Sequence, residues 1–401
     1  MELFRQEHKK IWRRWSVRLS VLLCFLYVVV LGGFLTFQWL EFGTPNSEAG
    51  HGNHFDGYHN IRAQQKYAEQ FAGALTDETV QAMTADFQRI DAENGYPAYY
   101  VTDYGQLNTW IWTLYPELTD NSDWRNILHY APPEKLSGFY ARRDTLLSDF
   151  LDMNSQTGAE REYLLSLDAK TDKPYHYNWV RGWYIILNSA GELGIVLALF
   201  LSITLSPVFS EEWRWGTRNV ISSTKNGRGK IAAAKLCAAL AFAAELFFMA
   251  AAGLVAAQLI YFGVSGWDQP VQLIKLIAVA PMNMLQAEIY EYTCVFLASL
   301  GFAGMVLLIS ALSRSNFIAL IASLALVYVP MAVGQYLPLW GQKLLDLIPF
   351  VGTPTDIFRT NTYHLFGAYI WSPWLLISVP VVLGLLCLPF AVKSWARQLK
   401  K

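Results

Sequence analysis

Apolar runs long enough to cross a bilayer recur along this chain, separated by short charged stretches and one long polar segment. Spanning a hydrocarbon core roughly 30 Å thick takes about 20 apolar helical residues. Residues 19–39 form the first such run. The second, at 183–206, comes only after the polar segment, and 231–262, 292–312, 317–335 and 371–392 follow it. The pattern predicts an all-α polytopic membrane protein: six transmembrane helices with an α-rich domain inserted after the first.

Within the polar segment, 41–180, the period changes. Val80, Met83, Phe87 and Ile90 place one apolar face on a helix, with Thr76 positioned to cap it and Asp77 and Glu78 suited to its positive end. Residues 136–151 and 159–167 carry similar faces, and Tyr96-Pro97, Tyr115-Pro116 and Pro132-Pro133 punctuate them. Tyr99, Tyr100, Tyr104, Trp110, Trp112, Tyr115, Trp124 and Tyr130 supply material for a separate core. At the N-terminus Leu3, Phe4, Ile11, Trp12 and Trp15 sit among bases, as in a helix lying in a membrane interface. Residues 270–286 and 337–358 are apolar but broken by Pro281, Pro338, Pro349 and Pro354, the pattern of short re-entrant or interfacial outer helices. Any non-helical backbone there has to be buried in protein.

Composition narrows the class. Of 401 residues, 53% are hydrophobic and 16% charged, against about 25% charged in soluble domains. A soluble enzyme, a disordered tail and a nucleic-acid-binding domain are excluded, so no nucleic-acid partner is expected. The net charge of −1 conceals an asymmetry: residues 41–180 hold 21 acidic against 10 basic side chains. Bases concentrate in residues 1–18 (Arg5, Lys9, Lys10, Arg13, Arg14, Arg18), in the connection from Arg214 to Lys230, at Arg314, and in the C-terminal Lys393, Arg397, Lys400 and Lys401. The short connections on the other side contribute only Lys275, Lys343 and Arg359. The positive-inside rule then places both termini in the cytoplasm. The expected organisation is a cytoplasmic amphipathic interfacial helix at 1–18, the first transmembrane helix at 19–40, an extracellular domain at 41–180, and the remaining transmembrane helices within 181–401. Cys24, Cys237, Cys294 and Cys387 are isolated in apolar runs, which excludes a disulfide framework or a CxxC metal site. The first run is too long for a signal-peptide core and lacks a small-residue cleavage pattern after it.

The connection at 207–235 reads PVFSEEWRWGTRNVISSTKNGRGKIAAAK. Gly227-Arg228-Gly229-Lys230 lacks the spacing and the following hydroxyl of a P-loop. Judged by charge alone, the stretch is an ordinary basic loop. Its order, however, resembles the intracellular signature of ABC-2 type transporter permeases, through Ser210, Glu211 or Glu212, Gly216-Thr217, Val220-Ile221, Lys225-Asn226-Gly227-Arg228 and Ala234-Lys235. The sequence LISALSRSN at 308–316 suits the same family, and Tyr175-His176-Tyr177 with Gly182-Trp183 resembles members that carry a large outer domain.

The resemblance implies a permease subunit of the bacterial plasma membrane, paired with a second permease subunit as a homodimer or with a paralogue. Residues 208–226 would form a cytoplasmic coupling helix docked on a separate ABC ATPase subunit, which would bind ATP and Mg; no cofactor is expected in this chain. The implied coupling residues are Glu211, Glu212, Gly216, Thr217, Arg218, Lys225 and Arg228, with Glu211 and Glu212 at the helix start and Gly216 allowing close backbone approach. The cargo class would be a drug, an antimicrobial peptide or a lipid-linked compound. The alternative is a membrane sensor or scaffold whose extracellular domain binds a ligand.

Glu192 and Glu245 are intramembrane polar candidates, since buried acids in spans face the bundle interior or a water-filled cavity. Glu288 and Glu291 are expected to be solvent-exposed at the outer edge. His51, His54, Asp56 and His59 form either a weak metal site or a flexible loop. Glu211-Glu212 is not the start of an intramembrane protease site, because the fourth residue after Glu212 is Gly216 where EExxxR requires Arg. No catalytic residue is assigned.

Overall fold

The computed structural model describes residues 2–41, 57–94, 98–118, 127–155, 157–224, 229–352 and 356–398, and these are mainly helical. α1 (Glu2–Arg13) leads through Arg14 into α2 (Trp15–Glu41). The polar part holds α3 (Gly57–Gln70), α4 (Asp77–Asn94), α5 (Ala98–Val101), α6 (Tyr104–Leu114), α7 (Ile127–Tyr130), α8 (Phe139–Asn154) and α9 (Gly158–Asp168). A short antiparallel ladder, β1 (Gly73–Ala74) against β2 (His176–Tyr177), closes it by pairing Gly73 with Tyr177. The apolar part runs α10 (Arg181–Leu205), α11 (Pro207–Arg214), α12 (Arg218–Ser223), α13 (Lys230–Phe262), α14 (Met284–Leu312), α15 (Asn316–Gly334), α16 (Leu339–Asp346), a hairpin of β3 (Thr362–Leu365) and β4 (Ala368–Trp371), α17 (Ser372–Leu376) and α18 (Val379–Gln398).

Among the described residues five stretches are long and apolar enough to cross a membrane: Arg181–Trp213, Lys230–Phe262, Met284–Leu312, Asn316–Gly334 and Ser372–Arg397. The run at 19–39 lies on α2, whose stretch Trp15–Val30 is apolar. α14 is the centre of the bundle. Its Gly301 and Gly304 face Pro380 and Gly384 of α18 so closely that a Cβ at any of the three glycines would collide with backbone. Small residues let helices approach where hydrocarbon gives no hydrophobic drive for association.

The core divides into two clusters. One, at the end of the bundle that carries α1, is built from the inner faces of α1, α2, α10, α13, α14 and α18. The other joins residues 61–187 to the connection after α13 and to the first turns of α14. There the irregular backbone at 271–280 is enclosed by side chains. Trp110 Nε1 donates to Leu273 O at 3.0 Å, Arg143 Nε to Leu276 O at 2.8 Å, and Gln272 Nε2 to Ala280 O at 2.9 Å. Arg143 has no exposed surface and is held by Asp168, with Nη1 to Oδ2 at 2.6 Å. Non-helical backbone there is thus satisfied inside protein.

Several boundaries depart from the sequence reading. Thr76 caps α4 as expected, with Thr79 N donating to Thr76 Oγ1 at 3.3 Å. Asp77, however, serves a different helix: it accepts from Gly138 N at 2.6 Å and Phe139 N at 2.9 Å, and so starts α8 three residues later than the periodicity implies. α14 starts at Met284, eight residues ahead of the expected 292, because Asn283 and Gln286 form a reciprocal capping box. Residues 270–286 contribute only the 3-10 turn Val271–Leu273 and the first residues of α14, with no outer helix. Within 337–358 a helix does form, α16. Trp371, expected to open the last span, ends β4, and the apolar helix begins at Ser372 with a break before Val379. Glu288 and Glu291 are not exposed: they are 6% and 1% accessible, on the same buried face as Val295 and against α10.

Candidate functional site

The connection between α10 and α13 does not form the single helix expected over 208–226. Through Ser206 the chain turns directly into α11, so Pro207 occupies a first-turn position where its missing N–H costs nothing. The helix then breaks at Trp215–Thr217, and α12 restarts at Arg218. Gly216 sits at φ +66°, and a Cβ there would meet nothing within 4 Å. Within this chain the glycine answers to the left-handed backbone conformation, and no other part of the chain crowds it.

The root of this element is fastened on three sides. Ser310 at the end of α14 donates its hydroxyl to Ser206 O at 2.6 Å and accepts from Phe209 N at 3.0 Å. Ser210 Oγ donates to Asn316 Oδ1 at 2.6 Å, tying α11 to the start of α15. The Phe209 ring packs 5.4 Å from that of Trp395 on α18, and Arg314 lies 5.0 Å over the Trp213 ring.

The charged groups complete the fastening. Glu211 and Glu212 occupy the second turn of α11, so they do not cap its start; both turn inward. Glu212 is 4% exposed and accepts from Lys10 Nζ at 2.6 Å, from Lys235 Nζ at 3.0 Å and from the Thr217 hydroxyl. Lys235, on the first turns of α13, is 1% exposed and also reaches Glu7 at 3.1 Å and Val208 O at 3.2 Å. Two acids and two bases therefore alternate across α1, α11 and α13. Such a set is tolerable under burial because each charge has an opposite neighbour. At Lys10 burial works against the ammonium, but the hydrogen bond and charge of Glu212 outweigh it, so its pKa is raised. Glu211 pairs with Arg14 in the link between α1 and α2 and accepts from Trp215 Nε1 at 3.3 Å.

The intramembrane candidates separate. Glu245 on α13 belongs to the junction with α1, accepting from Trp12 Nε1 at 3.0 Å with His8 Nε2 at 3.1 Å. Glu192 is exposed on the flank of α10 and takes no part in the network. Arg218 opens α12, while Lys225 and Arg228 lie outside the described residues, as do His51, His54 and Asp56.

Beyond the root Ile221 packs against the bundle core, while the other face of the element is open. Trp215 is 66% and Val220 69% exposed, and Gly216 and Thr217 beside them are open as well. Sequence reasoning missed Glu7, Lys10, Ser310 and Asn316. The signals were present as a charged face on α1 and a serine inside the apolar end of α14, but nothing local says what they meet. No protein-family model matches the chain, and no curated protein matches it.

Proposed function

We propose that this chain is the permease subunit of an ATP-driven exporter, and that α11–α12 is the element on which a separate ABC ATPase subunit docks. The observation that carries the reading is the contrast within that element. Its root is bonded to α1, α13, α14 and α15, while its tip offers a Trp and a Val to solvent. Exposed apolar side chains on a rigidly held projection fit a protein groove, and the bonded root would pass a push on the tip to several spans at once. In this reading α2 is the first of six spans and both termini are cytoplasmic, in a bacterial plasma membrane. Residues 41–180 are then extracellular. A second permease subunit completes the pathway, and the ATPase binds ATP and Mg. The cargo class is a drug, an antimicrobial peptide or a lipid-linked compound.

The test is purification of the tagged full-length chain from its native membranes, followed by assay of ATP hydrolysis and identification of what co-purifies. A P-loop ATPase that is retained by the wild type and lost in Trp215→Glu/Val220→Glu supports the reading. Absence of any such ATPase, or its undiminished retention by the variant, turns the assignment towards a sensor or scaffold.

A further inference from the structure

The connections that follow α13 and α15 are poor in bases: residues 263–283 contain only Lys275, and 335–371 only Lys343 and Arg359. The fold gathers all three. Lys343 of α16 and Arg359 line one cavity of about 390 Å³, whose apolar wall is Pro330, Met331 and Gly334 of α15. The Lys275 ammonium lies 5.9 Å from the ring of Phe358, the residue before Arg359. Burial lowers its pKa, and the charge of Arg359 lowers it further, which places the two cations within each other's field.

The lining sets Lys343 and Arg359 against one carboxylate. Asp346 is the carboxylate lining the cavity, 3.0 Å from Arg359, and Thr362 O takes one of the Lys343 donors at 2.8 Å. Like charges brought together under partial burial disfavour one another unless an anion joins them. The cavity also adjoins exposed apolar surface: Val329, Met331 and Val333 on α15, then Leu339 and Trp340 on α16. Its volume falls in the range of small-ligand sites, roughly 300–1,000 Å³.

We propose that this cavity binds an anionic amphiphile. The head group, a phosphate ester, sits between Lys343 and Arg359, and its acyl chain lies along the exposed apolar face of α15. Lys275 reinforces the field from the rim. The inference does not depend on the ATPase assignment, because binding is measured on this chain alone.

The experiment uses full-length protein in a non-ionic detergent and three probes. Lysophosphatidic acid has the phosphate and one chain, glycerol 3-phosphate the phosphate alone, and lysophosphatidylcholine the chain with a zwitterionic head. Lysophosphatidic acid is expected to bind at least about tenfold more tightly than either of the others, a difference of roughly 1.4 kcal/mol. Lys343→Gln keeps a donor for Thr362 O but removes the charge. Combined with Lys275→Gln it should weaken lysophosphatidic acid binding about tenfold or more, whereas Lys170→Gln in the polar domain should not.

Equal binding of lysophosphatidylcholine, undiminished binding by the double variant, or an equal loss with Lys170→Gln would overturn the proposal. Glycerol 3-phosphate binding as tightly as the lysolipid would overturn the lipid source and assign the cavity to a soluble phosphoester. If the double variant does not fold, the three probes on the wild-type chain still decide the question.

Discussion

At each end of the bundle the chain leaves the regular helix ladder, and the two ends treat the departure differently. The backbone at 271–280 is bonded along its length: Trp110, Arg143 and Gln272 donate to its carbonyls, and Arg143 is itself fixed by Asp168. The segment 206–224 is gripped at its base through Ser310, Asn316, Lys10 and Lys235, rests Ile221 on the core, and leaves Trp215 and Val220 in solvent. Bonding along its whole length makes an element part of the scaffold. A held base with an open tip makes a handle, because force applied to the tip reaches the base without the element unfolding.

The comparison breaks most readily at Arg143. Arg143→Ala strands Asp168 and Leu276 O inside protein, and removing one partner of a buried pair costs about 3–5 kcal/mol. Lys173, 3.8 Å from Asp168, offers partial replacement, so the lower end, about 3 kcal/mol, is expected. The expected outcome is a sharply lowered melting temperature in detergent and loss of protein from the membrane. A melting curve like that of the wild type would show that the loop at 271–280 is held by packing and not by these bonds.

Lys235→Met comes next. It removes two ion pairs and a bond to Val208 O, but Lys10 still holds Glu212 and Glu7 is partly exposed. A loss of about 2 kcal/mol follows from the charged hydrogen bonds removed. The informative comparison is with Lys10→Met, whose partner Glu212 keeps the buried Lys235. The Lys10 variant should lose less stability, and equal losses would mean that the buried position of Lys235 carries no extra weight.

Much of this architecture is legible in the sequence. Apolar length marks the spans, since 231–262 and 317–335 match α13 and α15 to within one residue. Thr76 announces a cap. What is not legible depends on distant partners: Lys10 meets Glu212 across 202 positions, and Arg143 meets Leu276 across 133. Glu211-Glu212 therefore reads as a polar helix start when its carboxylates are in fact turned towards α1 and α13. The β3–β4 hairpin is concealed differently. Its strands alternate only weakly in an apolar setting, and the turn depends on Phe366 and Gly367, both at positive φ. The capping box at Asn283 and Gln286 was readable, and it corrects the start of α14 by eight residues.

A smaller effect is expected at Gly216. Alanine finds room there but not a comfortable backbone, and the left-handed conformation costs a non-glycine residue roughly 1 kcal/mol. Gly216→Asn, which tolerates that conformation better, should lie between glycine and alanine in melting temperature. If Gly216→Asn is worse than Gly216→Ala, a close approach by something outside this chain becomes the better account of the glycine.

The smallest effect on stability and the largest on docking should come from the same residues. Trp215 and Val220 are about two-thirds exposed, and surface substitutions away from packed features usually shift stability by no more than about 0.5 kcal/mol. Trp215→Ser and Val220→Ser should therefore leave abundance and melting temperature near those of the wild type. A handle whose tip enters a groove loses buried apolar area on these changes, at roughly 25 cal/mol per Å² removed from contact, so on the proposed function association with the ATPase should weaken severalfold. Trp215→Ser also forfeits the bond to Glu211, but Arg14 retains that carboxylate, so the base should stay fastened. Parallel losses of stability and association would place these side chains in the scaffold and end the distinction between a bonded loop and a handle. Loss of association alone, with the base intact, is what the contrast between the two ends requires.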